Sequence, residues 1–179
     1  MDNRHGTYIA YDAIGVKDHV NSNLHNHKLL EDWQRMNPGK FNFINLDDIH
    51  LSADNELQQD QDTTLKHHLE AQMAKADNML VIVSPVLNPD SPILNWQISR
   101  GVNHFHLPII AAYAGLDRIN DNTIETYWEW LPAKFRKYLT RYPWAQIAHI
   151  PFTKDKVERA LATYSAKKQI FPWDATTIF

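Results

Sequence analysis

Short apolar runs and amphipathic stretches alternate along most of the chain. "GTYIAYDA" is rich in β-formers and follows a glycine, which predicts a strand over about Thr7 to Tyr11. "HNHKLLEDWQRM" puts Leu29, Leu30, Trp33 and Met36 on one helical stripe, and "NPGK" ends it. "KFNFIN" alternates Phe41 and Phe43 with asparagines and reads as a second strand. "LDDIHLSADNELQQDQD" is polar and irregular, the pattern of a long loop. "TTLKHHLEAQMAKAD" brings Leu65, Leu69 and Met73 into helical register, with Asp62 or Thr63 as cap. "NMLVIVS" is continuously apolar, as in a strand buried on both faces of a parallel sheet. A loop, "PVLNPDSP", precedes a helix from about Ile93. Then come a strand in "LPIIAAY", a helix in "LPAKFRKYLTRY", a strand in "AQIAHIPF" and a helix in "KDKVERALATYSAKK".

This alternation predicts an α/β fold: an open, five-stranded, mostly parallel sheet with helices on both faces. Its expected strand order is the flavodoxin-like 2-1-3-4-5. Ligands of such sheets bind outside the C-terminal strand ends, near the switch between the first and third strands. Tyr11, Asp12 and Ser84 fall at those ends, and the helix opening near Trp96 and Gln97 follows the third strand. One domain is expected over residues 1–165, with a C-terminal tail over 166–179. The tail's "QIFPWDATTIF" is apolar and is interrupted by Pro172; it is expected to pack back on the domain, or else to serve as a partner or self-association contact.

Composition narrows the chemistry. A chain of 179 residues is long enough to bury a core without staples. A net charge of −3 leaves no nucleic-acid footprint. Without cysteine there is no disulfide and no thiolate chemistry, which agrees with a reducing compartment. No apolar run has the length of a membrane span, so a cytoplasmic protein is expected, with neither membrane nor nucleic acid as partner. The ten histidines do not form a metal pattern. His25 and His27 are two apart, His67 and His68 are adjacent, and His104 and His106 have no carboxylate placed with them. No metal and no resident cofactor are expected. The five glycines form neither a dinucleotide fingerprint nor a Walker loop, so any nucleotide is held by polar loops and stacking aromatics. Asp12 at a strand end would suit a phospho-receiver, but "LPIIAAY" does not end on the lysine that a receiver needs.

Taken together, "GTYIAYDA", "NHKLLEDWQ", "FNFIN", "LKHHLEAQMAKADNMLVIVS", "NWQISRG", "LPIIAAYAG" and "IAHIPF" resemble the TIR-like family of bacterial Thoeris antiphage-defence systems. The correspondence runs from Gly6 to about Ser165. In that family a glutamate lies near the start of the helix after the third strand, often behind an aromatic residue. Counting back from Pro108 in "LPII" puts this position at Gln97, directly after Trp96. A rival register, counting forward from Trp96 as a W-x-x-x-E motif, lands on Arg100; Gln97 keeps the spacing to the strand without a gap.

The resemblance implies an enzyme scaffold that cleaves NAD, its substrate, and makes a cyclic or modified ADP-ribose signal. That signal activates a separate effector. Gln97 would be the catalytic position, with Tyr11, Asp12, Ser84 and Trp96 shaping the nucleotide pocket and "NLDDIH" gating it. A glutamine there makes this chain a catalytically inactive Glu-to-Gln form, whether engineered or naturally degenerate. The alternative is a non-catalytic TIR-like binding or assembly module, and self-association is expected of the family in either case.

Overall fold

The computed structural model describes residues 4–12, 24–46, 59–141, 145–166 and 176–178. Four strands, β1 (Thr7–Ala10), β2 (Asn78–Val83), β3 (Ile109–Tyr113) and β4 (Ile147–Pro151), form an all-parallel open sheet in the order β1-β2-β3-β4. Every residue of these four strands is buried, as their continuous apolar runs require. A three-residue strand, β5 (Thr176–Ile178), pairs parallel with β4, so this part of the tail extends the sheet. Residues 167–175 lie outside the described set.

Among the described residues six α-helices accompany the sheet: α1 (Leu24–Met36), α2 (Gln59–Met73), α3 (Pro92–Asn103), α4 (Asp121–Thr126), α5 (Ala133–Arg141) and α6 (Lys154–Thr163). Side-chain alternation puts Tyr8, Met79, Ala111 and His149 on one face of the sheet. Helix α3 lies on that face, since Gln97 reaches Tyr8 and Gly101 sits over Met79. Asn78 belongs to the other face and donates from Nδ2 to Tyr164 O (2.6 Å), just past the end of α6. Helices therefore cover both faces, as expected. Among the described residues no helix is long and apolar enough to cross a membrane.

Three expectations are corrected. The second strand, over "KFNFIN", reduces to one parallel bridge between Thr7 and Phe43. Thr7 N donates to Asn42 O and Ile44 N to Thr7 O, but then the chain leaves β1 and a side chain takes over. Asn45 Oδ1 accepts from Ile9 N, and Asn45 Nδ2 donates to Ile9 O, both at 2.8 Å. The buried amide of Asn45 thus replaces one residue of ladder on the open edge of β1. Second, α2 starts at Gln59, so Asp62 and Thr63 are inside the helix and do not cap it. Glutamine is a good helix former, and aspartate is favourable near a helix N-terminus. Third, the α1 stripe is shorter than its pattern. Leu30 is fully buried and Trp33 packs on Phe41 and Phe152, but Met36, the last helical residue, is 63% exposed.

Candidate functional site

The C-terminal end of β1 and the N-terminal half of α3 are joined by side-chain hydrogen bonds. Gln97 is fully buried. Its Nε2 donates to Tyr11 O (2.7 Å) and Ile93 O (3.2 Å). Its Oε1 accepts from the Tyr8 hydroxyl (2.7 Å) and from Tyr11 N (3.4 Å). An amide has two N–H donors and two acceptor lone pairs, so these four bonds use its full capacity. They also fix which end is nitrogen, because Tyr11 O needs a donor and Tyr11 N an acceptor.

One residue further on, the half-buried Asp12 accepts from Ser91 Oγ (2.9 Å). Ser91 is the buried N-cap of α3, and its Oγ accepts from Leu94 N (3.3 Å). Pro92 follows, pre-set for the first helical turn. The Asp12 carboxylate therefore stands at the helix N-terminus, where negative charge is favoured. Asn95 holds the loop before the helix. Its Nδ2 donates to Pro89 O and Ser91 O, and its Oδ1 accepts from Lys134 N of α5.

Of the five residues singled out in the sequence, Tyr11, Asp12 and Gln97 belong to this one network. Ser84 is buried just after β2, where its carbonyl accepts from Leu87 N in the turn that follows. Trp96 is half-buried, and its ring is met by the Lys66 ammonium of α2 at 5.6 Å from the centroid. In the expected gate "NLDDIH", residues 47–50 lie outside the described set, and Asn45 is the clamp on Ile9. The rival position, Arg100, forms a salt bridge with Glu70 of α2 (2.7 Å).

Sequence reasoning missed Tyr8 and Ser91. Ser91 had a legible signal, a serine directly before a proline at a helix start. Tyr8 had none, since a strand tyrosine is ordinary core. It also missed a buried pair on the same sheet face. Tyr113 Oη lies 2.8 Å from His149 Nδ1, with both residues fully buried. Burial pushes the His149 pKa down to about 4 and raises that of the Tyr113 phenol, so both are neutral near neutral pH. His149 Nε2 has no hydrogen-bond partner. The signal was a histidine inside the apolar run "IAHIP".

Among the described residues no group of three or more His, Cys, Asp or Glu could hold a metal ion. No family model matches this sequence, and no curated protein matches it.

Proposed function

We propose that this chain is a TIR-like antiphage-defence protein of the NAD-processing kind, working in the cytoplasm and standing as a form that does not turn its nucleotide over. The observation that carries this reading is the Gln97 amide, which sits beside the C-terminal end of β1 with all four hydrogen bonds spent on Tyr11, Ile93 and Tyr8. The resemblance gives this position to the catalytic glutamate. Breaking the bond between nicotinamide and ribose builds oxocarbenium-like positive charge on the sugar. A carboxylate stabilises that charge and an amide does not. Turnover in the parent form would release nicotinamide and leave a cyclic or otherwise modified ADP-ribose signal for a separate effector.

The expected ligand is NAD or an ADP-ribose-type nucleotide, held among Tyr11, Asp12, Ser84 and Trp96. Without a glycine loop, phosphates must be met by loop backbone and polar side chains, so moderate affinity is expected. Calorimetric titration with NAD and ADP-ribose tests this, with Trp96→Ala as control. If neither nucleotide binds at millimolar concentration, or Trp96→Ala leaves binding intact, the reading fails. The internal engagement of Gln97 also suits a second reading, a non-catalytic assembly module. Its mark would be self-association by light scattering with no nucleotide bound.

A further inference from the structure

A helix N-terminus beside a strand end is the usual place for a phosphate, because its unpaired N–H groups and its dipole favour an anion. In this chain the N-terminus of α3 is already met by a carboxylate of the protein. Asp12, half-buried, accepts from Ser91 Oγ (2.9 Å), and Ser91 is the N-cap. The helix end carries about half a positive charge, against a full negative charge on the carboxylate, so the balance there stays negative. A phosphate brought to this point would face Asp12.

The neighbouring charges do not reverse that sign. Asp90, next to Ser91, and Glu129 share the Arg136 guanidinium of α5, at 3.4 and 2.9 Å. Both carboxylates are largely exposed and therefore screened, which leaves Asp12 as the stronger local charge. Lys134 and Lys137 of α5 line a separate recess beside Asn103, the last residue of α3. Gln97 adds no charge, and its amide is committed to Tyr11, Ile93 and Tyr8. Among the described residues, the end of β1 thus favours a cation over an anion.

We propose that Asp12 is a specificity-determining residue that selects the oxidised, pyridinium form of a nicotinamide nucleotide over the reduced form. The inference rests on the NAD reading of this crevice. The ring nitrogen of the oxidised form is quaternary and its positive charge is spread over the ring. It asks for no hydrogen bond, so Asp12 acts on it by charge alone and keeps its bond from Ser91. The dihydronicotinamide ring is neutral and gains nothing from the carboxylate. The phosphates of the same nucleotide lie away from the N-terminus of α3.

Calorimetry on the full chain tests this with NAD, NADH and ADP-ribose; in the NAD reading the parent chain leaves NAD intact during the titration. The parent should bind NAD about fivefold or more tightly than NADH. Asp12→Asn keeps an oxygen for Ser91 Oγ and removes only the charge. It should weaken NAD until NAD and NADH agree within about twofold, and leave ADP-ribose bound as tightly as before or more tightly. Equal affinities for NAD and NADH in the parent, or an undiminished preference in Asp12→Asn, would overturn the proposal and leave the NAD reading standing. A variant that loses all three ligands alike would also overturn it, since Asp12 would then only shape the strand end. A parent chain that binds none of the three removes the NAD reading, and this proposal with it.

Discussion

The side chain of Gln97 pairs with both backbone groups of Tyr11: Nε2 donates to Tyr11 O at 2.7 Å, and Oε1 accepts from Tyr11 N at 3.4 Å. A helix residue thus continues the hydrogen bonding of β1 after the strand has ended. Asn45 does the same for Ile9 two residues earlier. The end of β1, and with it Asp12, is positioned by side-chain amides as much as by the sheet.

Tyr8→Phe removes the shorter of the two bonds to Gln97 Oε1. It should destabilise the fold by about 0.5–1.5 kcal/mol. For a chain of this size that lowers Tm by roughly 2–4 °C per kcal/mol. Thermal unfolding measures it, and an unchanged Tm would mean that the hydroxyl bond contributes nothing.

Gln97→Glu should also lower stability at neutral pH. A carboxylate keeps the bonds from Tyr8 and Tyr11 N but cannot donate to Tyr11 O or Ile93 O, and it sets negative charge against both carbonyls. The expected cost is about 1–3 kcal/mol or more. Burial favours the neutral acid, so the folded variant binds a proton more readily than the unfolded chain. Its stability should therefore recover as pH falls towards the acid range, which unfolding at several pH values would detect. A variant as stable as the parent at neutral pH would contradict the clamp.

The fold was more legible than the site, for physical reasons. The runs NMLVIV, IIAAY and IAHIP are short, apolar and β-branched, so period and length alone mark buried parallel strands. "KFNFIN" misled because its alternation is real but its ladder partner is a side chain. That exchange, Asn45 for backbone, has no sequence signal. Helix α4 and its Asn120–Thr123 capping box escaped notice because six residues carry too little periodicity. At the site, Tyr11, Asp12 and Gln97 followed from the topology. The internal saturation of Gln97 did not, since it depends on Tyr8 and the Ile93 carbonyl lying within reach of one amide.

His149 gives the fold a pH dependence. Its pKa is pushed from the ordinary value of about 6.5 down to about 4, so the unfolded chain binds the proton first. This contribution to stability is complete above the unfolded value and is lost as pH falls from about 6.5 to about 4. The loss is of the order of 3 kcal/mol. His149→Leu should flatten the stability profile in that window. A profile that falls equally steeply in the variant would assign the effect to other groups.

Gly101 sets the approach of α3 to the sheet. A Cβ there would strike the Met79 terminal methyl, and Met79 is fully buried. Gly101→Ala should cost about 1–3 kcal/mol through overpacking, although alanine is the better helix former. Gly101→Ala combined with Met79→Ala should recover part of the overpacking cost against Met79→Ala alone. Additive losses in denaturant unfolding would place the strain elsewhere.

The central claim of the proposed function is that an amide at position 97 keeps the chain from turning NAD over. Nicotinamide release from NAD, compared between the parent chain and Gln97→Glu, tests it most directly. In the proposed reading a carboxylate at position 97 supplies the charge that the amide lacks. The expected gain in release is on the order of a hundredfold or more, alongside the lower stability. Equal rates in the two proteins would contradict the claim and leave Gln97 as a structural amide alone.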